Sequence, residues 1–326
     1  MKLLFKSLLL VLAGALFFAV VGVVLTWAPD KPVSELTARW AQPPSRFVAV
    51  QGMQVHLRDE GPGAGAPQPA GDEALPIVLL HGTSASLHTW QGWTEALRGQ
   101  RRVIRFDLPG FALTGPQPQA DYSIDAYVRF VIGVMDQLGV QRFVLAGNSL
   151  GGQIAWATAV AHPQRVQKLV LVDAAGYAFV PKSVPIGFQI ARMPALRPLM
   201  ENTLPRGLIE SSVRNVYGDP ARVTPALVDL YYDMTLREGN RHALGQRLAQ
   251  MSPEAVAQRA DRIATLKLPT LILWGGQDRL IPPENAQRFA RDIAGSQLVV
   301  FDDLGHVPHE EDPARTVAAV KKFLGL

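Results

Sequence analysis

Gly147-Asn148-Ser149-Leu150-Gly151 follows a strand-like run, Arg142-Phe143-Val144-Leu145-Ala146, and opens a helix-like run from Gln153 to Ala161. A serine flanked two residues either side by glycine, at a strand-to-helix junction, marks a turn so sharp that the serine backbone is strained. Any larger flanking side chain would collide across it. The turn exposes the serine Oγ at the tip of a sheet, beside the N–H groups that open a helix. The bare pattern also fits a Gly-rich turn before a helix, so the surrounding chain has to decide.

Outward from the turn, short apolar runs alternate with helical patterns. Ile77–Leu80 precedes a helix within 87–98, and Arg102–Phe106 precedes one at 124–138. Phe143–Ala146 leads into the Ser149 helix, and Lys168–Val172 follows. After a long interval come Thr270–Trp274, a helix at 283–293, Gln297–Phe301 and a helix at 313–324. Continuously apolar strands imply burial on both faces, hence a mostly parallel, doubly wound α/β sheet. Phe47–Val50 and Gln54–Arg58, joined at Gly52, predict an opening hairpin. Between Gly176 and about Thr265, Pro181, Pro185, Pro194, Pro198, Pro205, Pro220 and Pro225 break the alternation into short helices, which predicts an all-helical insertion. The domain reading is therefore an N-terminal segment 1–28, a tether 29–45, a core in two parts (46–176 and 266–326) and a helical cap 177–265.

The N-terminal segment reads as a membrane anchor. Lys2 and Lys6 precede an uncharged run from Leu8 to Trp27, long enough at about 1.5 Å per residue to cross a bilayer core. Ala13-Gly14-Ala15 has the form of a signal-peptidase site but lies inside the apolar run, which favours a retained anchor over a cleaved signal. The preceding lysines predict a cytoplasmic N-terminus and a periplasmic or extracellular body. The absence of cysteine is compatible with that location. The formal charge of +4, two units of it from Lys2 and Lys6, comes with no basic run beyond Arg101-Arg102, so nothing points to nucleic acid.

A serine hydroxyl needs a base to take its proton, and the base works best when a carboxylate fixes its tautomer. In an open α/β sheet both should sit on loops beyond strand ends. Asp278, in Trp274-Gly275-Gly276-Gln277-Asp278, and His306, in Asp302-Asp303-Leu304-Gly305-His306, meet this condition in the chain order Ser, Asp, His. Asp173, at the end of an earlier strand, is the alternative acid. Asp302 and Asp303 read as solvated turn residues, and His309 as a supporting residue. His56, His88, His162 and His242 show no partner pattern. An oxyanion formed at Ser149 would need two donors. The Leu150 N–H is one, and the Thr83 N–H, in His81-Gly82-Thr83-Ser84, is the other; His81 reads as structural. No metal, P-loop or dinucleotide signature appears, and no cofactor is expected.

Together His81-Gly82, Asp107-Leu108-Pro109-Gly110-Phe111, Gly147 to Gly152, Trp274 to Asp278 and Gly305-His306 resemble the α/β-hydrolase superfamily with a helical cap, over roughly residues 46–326. Within it, haloalkane dehalogenases and epoxide hydrolases carry aspartate at the elbow, so Ser149 argues against both. The Gly-Asn-Ser-Leu-Gly-Gly form is similar to lipases and esterases and to the hydrolases that cleave carbon–carbon bonds in meta-cleavage products. The latter commonly place an aromatic residue after the catalytic histidine, where this chain has Val307. Ala112 stands where glycine is usual. The resemblance implies a serine hydrolase, read here as one of carboxylic esters with a small, apolar ester as its partner, and the N-terminal apolar run would anchor it to a membrane. Carbon–carbon hydrolysis is the alternative and would need a cap arginine, Arg192 or Arg197. A catalytically silent binding scaffold is a third reading. Phe179, Phe188 and Met193, with Ile186, Leu196 and Met200, suggest an apolar pocket roof or else the cap's own core.

Overall fold

The computed structural model describes residues 2–68, 74–196 and 201–326. Eight strands form one sheet in the order β1-β2-β4-β3-β5-β6-β7-β8. They are β1 (Arg46–Val50), β2 (Met53–Glu60), β3 (Ile77–Leu80), β4 (Val103–Phe106), β5 (Phe143–Asn148), β6 (Val166–Val172), β7 (Thr270–Gly275) and β8 (Gln297–Phe301). The first two make the expected antiparallel hairpin, and β2 runs antiparallel to β4; every other pairing is parallel.

The unbroken apolar runs reflect two cores, one on each face. Val78, Leu80, Leu145, Leu169 and Leu171 face one core, with Phe130, Ile154 and Phe289 from the covering helices. Ile77, Leu79, Val144, Val170 and Val172 face the other, against Trp90, Trp93 and Val317. The strand period of two thus sends alternate residues into separate, equally apolar layers. The strand order reverses between β3 and β5, so the loops after those strands splay apart and leave a crevice at their carboxyl ends. Thr83 follows β3, and Ser149 follows β5.

The insertion between β6 and β7 carries helices Ile186–Ala191, Arg206–Val216, Pro225–Leu236, Asn240–Ala249 and Pro253–Ala260. The segment 29–45 lies against this cap as a packed strap that contains the helix Val33–Trp40. Ala28 N–H donates to the Asn202 carbonyl at 2.9 Å and Lys31 N–H to that of Leu236 at 2.7 Å. Asp30 pairs with Arg241 at 2.6 Å and Lys31 with Asp233 at 3.1 Å. Ahead of it, the helix Lys2–Leu25 contains a 21-residue apolar stretch, Phe5–Leu25, that is long and apolar enough to cross a membrane and makes no core of its own.

Candidate active site

The turn after β5 has the strain its sequence implies. Ser149 sits at φ +55°, a left-handed conformation costly for any residue with a Cβ. A Cβ on Gly147 would lie 2.2 Å from the Gly151 carbonyl oxygen, and one on Gly151 would lie 2.2 Å from that of Leu80. Both glycines are therefore required by backbone contact. Asn148, which the sequence reading passed over, ties the turn to its surroundings. Its side-chain amide donates to the His306 carbonyl at 2.9 Å and to that of Val172 at 3.2 Å.

Ser149, Asp278 and His306 are brought together above the carboxyl ends of β5, β7 and β8. His306 Nδ1 lies 2.7 Å from Asp278 Oδ2, with both side chains buried. The other Asp278 oxygen accepts from the Leu280 and Ile281 N–H groups at 2.8 and 2.9 Å, so the carboxylate is held on both sides. His306 and Ser149 line one pocket. With Nδ1 engaged by Asp278, Nε2 is the ring nitrogen left to accept a proton.

Asp173, the alternative acid, is also here. The polar atoms of Asp173, Asp278 and His306 lie within 4.8 Å of one another. Asp173 accepts from the Gly275 N–H at 2.9 Å, and its carboxyl lies within hydrogen-bonding reach of Asp278. Burial, reinforced by the charge on Asp278, holds the Asp173 carboxyl protonated well above the ordinary carboxylate range. The direct bond to His306 belongs to Asp278.

Among the described residues, neither expected oxyanion donor, the Leu150 N–H or the Thr83 N–H, has a backbone acceptor. Leu150 opens the helix Leu150–Ala161, where an N–H has no intrahelical acceptor. Thr83 lines the same pocket, beside Ser149. His81 is a structural residue. Its Nε2 accepts from the Leu108 N–H at 2.9 Å, its Nδ1 donates to the Gly82 carbonyl at 2.7 Å, and burial keeps it neutral. His309 is likewise buried, bonded to Thr89 at 2.7 Å and stacked on Trp90. Glu311, another residue the sequence did not single out, accepts from the Gly305, Gly218 and Asp219 N–H groups at 2.8 to 3.0 Å. It clamps the His306 loop to the cap.

The pocket at Ser149 has a volume of about 160 Å³ and is mostly apolar, walled by Phe188, Leu208, Val213, Leu280 and Val307. Its one arginine, Arg241, is paired with Asp30. A second cavity of about 540 Å³ shares Thr83, Ser149, Phe188 and Leu280 with it and extends past Phe179 to Arg192 and Arg247. Phe179, Phe188 and Arg192 thus fall where the sequence placed a substrate. Met193 does not: it is 54 % exposed and lines neither cavity, because it follows the end of the short helix Ile186–Ala191 on a turn facing solvent. Arg197 lies outside the described residues, as does Met200.

Residues 76–313 match the family defined by the alpha/beta hydrolase fold. A 2-hydroxymuconate semialdehyde hydrolase of Pseudomonas sp. (strain CF600) is 30% identical over 285 residues, covering 86% of this chain and 93% of its own. A 2-hydroxy-6-oxo-2,4-heptadienoate hydrolase of Pseudomonas putida is also 30% identical, covering 86% and 95%. Among solved structures, a meta-cleavage product hydrolase from Pseudomonas fluorescens superposes with a TM-score of 0.71 at 28% identity, over 86% of this chain and 97% of its own. A membrane phospholipase A superposes with a TM-score of 0.69 at 24% identity, over 100% of this chain and 98% of its own, a likeness of fold that takes in the N-terminal helix.

Proposed function

The chain belongs to the α/β-hydrolase family, and from that premise we propose that it is a serine hydrolase acting through an acyl-enzyme. The observation that carries this reading is the 2.7 Å bond between His306 Nδ1 and Asp278 in a pocket that also exposes Ser149. Ser149 Oγ attacks the substrate carbonyl while His306 Nε2 takes its proton. Asp278 holds the ring and balances the imidazolium. The Leu150 and Thr83 N–H groups receive the oxyanion. His306 then protonates the leaving group, and water, activated by the same nitrogen, releases the acid and restores the serine.

For the bond that is cut, the pocket supports a carboxylic ester with an apolar group. Its walls are aliphatic, and Val307, 6 % exposed, occupies the position after the histidine where carbon–carbon hydrolases of this type commonly carry an aromatic ring. The second reading, hydrolysis of a ring-fission dienoate, is favoured by what the named Pseudomonas relatives act on. At about 30% identity a shared fold and triad do not fix the substrate. A panel pairing p-nitrophenyl alkanoates with 2-hydroxy-6-oxo dienoates separates the two. Turnover confined to the dienoates would replace the ester reading. Ser149→Ala should abolish turnover and labelling by a fluorophosphonate probe, and undiminished labelling would remove Ser149 from the mechanism.

The apolar helix Lys2–Leu25 supports retention at a membrane, with the lysines on the cytoplasmic side and the catalytic body periplasmic or extracellular.

A further inference from the structure

Four arginines of the described chain are buried. Three have carboxylate partners: Arg102 with Asp59 at 2.8 Å, Arg105 with Glu60 at 2.9 Å and Arg241 with Asp30 at 2.6 Å. The fourth, Arg247, has none. It is 7 % exposed, its Nε has no hydrogen-bond partner, and Nη1 meets only the Met251 sulfur at 3.5 Å. The neutral Tyr127 hydroxyl is a hydrogen-bonding neighbour, and a second cation, Arg192, opposes its charge.

Arg247 lines the 540 Å³ cavity that reaches Ser149, and among the described residues no aspartate or glutamate lines that cavity with it. Arg192, exposed and without an ion pair among the described residues, stands on the same wall. Gln153, on the first turn of the Ser149 helix, is 8 % exposed and lines the cavity too, with no hydrogen bond to its side-chain amide. A buried guanidinium without a counter-charge is costly, and its planar fork matches the oxygens of a carboxylate or phosphate. Two cations and an idle amide in one cavity, with no carboxylate among the described lining residues, fit an anion that comes from outside.

We propose that this cavity is an anion subsite: the part of the substrate on its side of the scissile carbonyl carries a carboxylate or a phosphate, bound by Arg247, with Arg192 and Gln153 completing the site. The inference rests on the serine reading for its place in catalysis, and holds for a diacid monoester, a phosphate-bearing ester or a ring-fission acid alike.

The test compares kcat/KM for chain-matched pairs, p-nitrophenyl hexanoate against mono-p-nitrophenyl adipate, and monohexanoyl glycerol against monohexanoyl glycerol 3-phosphate. In each pair the anionic-to-neutral ratio is the readout, so a general loss of activity cancels. Arg247→Gln should lower the ratio at least tenfold in one pair, Arg247→Lys less, and Arg192→Gln, at an exposed position that folding tolerates, a few-fold. The pair that responds identifies carboxylate or phosphate as the ligand. Ratios unchanged in both Arg247→Gln and Arg192→Gln would overturn the proposal. Calorimetric titration of the Ser149→Ala protein with glutarate and with glycerol 3-phosphate separates the subsite from the serine chemistry. Binding that Arg247→Gln abolishes supports the subsite even if no ester is turned over, and the absence of binding by either probe counts against it.

Discussion

The two acids beside His306 make an unusual ordering of variants testable: Asp278→Ala should be more active than the isosteric Asp278→Asn. In the Asn variant the amide keeps the hydrogen bonds from Leu280 and Ile281, and its NH₂ donates to His306 Nδ1. That forces the proton onto Nε2, where it cannot serve as base, and losses of about 10⁴ follow from this tautomer error. In the Ala variant the oxygen at 2.7 Å is gone, but Asp173 remains within 4.8 Å. Asp173 is protonated in the native protein because burial and the charge on Asp278 oppose its ionisation. Two unit charges at that separation repel by about 3 kcal/mol at an effective dielectric near 20. Removing Asp278 releases that repulsion, and the Asp173 carboxylate can ionise against the imidazolium. About 3 kcal/mol corresponds to roughly two decades of rate.

Asp278→Ala should therefore lose about 10²-fold in kcat/KM, with Asp278→Asn and the double variant Asp173→Asn/Asp278→Ala both near 10⁴. Asp173→Asn alone, which keeps the acceptor for Gly275 N–H, should lose less than tenfold. Steady-state hydrolysis of a p-nitrophenyl ester, with thermal unfolding to confirm that each variant is folded, measures the series. If Asp278→Ala is as poor as Asp278→Asn, or if the double variant is no worse than Asp278→Ala, the idea that Asp173 stands in for Asp278 is refuted.

Three further outcomes follow from the geometry. Gly151→Ala would place a Cβ 2.2 Å from the Leu80 carbonyl oxygen and 2.6 Å from that of His81, both backbone atoms, and should destabilise by about 3 kcal/mol or more, whereas Gly207→Ala, at an exposed position in the first turn of the helix Arg206–Val216 with nothing within 4 Å, should raise Tm slightly. Burial raises the Glu310 carboxyl, which accepts from the Tyr231 hydroxyl, to about 7. A folded-state pKa above the unfolded one favours the native state at low pH, so stability should fall between about pH 5 and 7 and Glu310→Gln should flatten that slope in a Tm-against-pH series. The full chain should stay with membranes through a carbonate wash and leave them only in detergent, and release by carbonate alone would count against the anchor.

What the sequence makes legible is what local rules control. The strands, the elbow and the order Ser149, Asp278, His306 can be read because each depends on neighbours in the chain: apolar runs, a glycine two residues away, a loop just past a strand end. Partnerships across the fold stay hidden. His56 shows no partner in its own segment, yet it is buried 2.7 Å from Asp107, 51 positions away, with Ser45 on its other nitrogen. Glu311 looks like one acid in an acidic helix start, and only the folded chain brings Gly218 and Asp219 to it. Arg247 resembles any arginine on an amphipathic helix, since the missing carboxylate is visible only once its surroundings are assembled. Met193 fails in the opposite direction: an apolar residue in a short, proline-broken helix has no period long enough to tell roof from rim. Ala112, where glycine is usual, does adopt the left-handed φ of +45° that makes glycine usual there.

The cap is joined to the catalytic loop more firmly than an inserted lid need be. His306 N–H donates to the Val216 carbonyl at 2.7 Å, at the end of the cap helix Arg206–Val216, and Glu311 grips Gly218 and Asp219 just beyond it. A Cβ on Gly305 would lie 2.4 Å from the Gly218 nitrogen and from the Val216 carbonyl oxygen, so the two backbones meet without room for a side chain. Movement of that helix end would therefore move the His306 backbone, and with it the base. On the opposite wall, among the described residues, the short helix Ile186–Ala191 makes no hydrogen bond to the triad itself; Ser183 N–H, just ahead of it, donates to the Arg279 carbonyl at 2.9 Å, and Phe188 lines both cavities. A displacement of the Phe188 side would leave the bond between Val216 and His306 in place, whereas one of the Val216 side would carry the catalytic base with it.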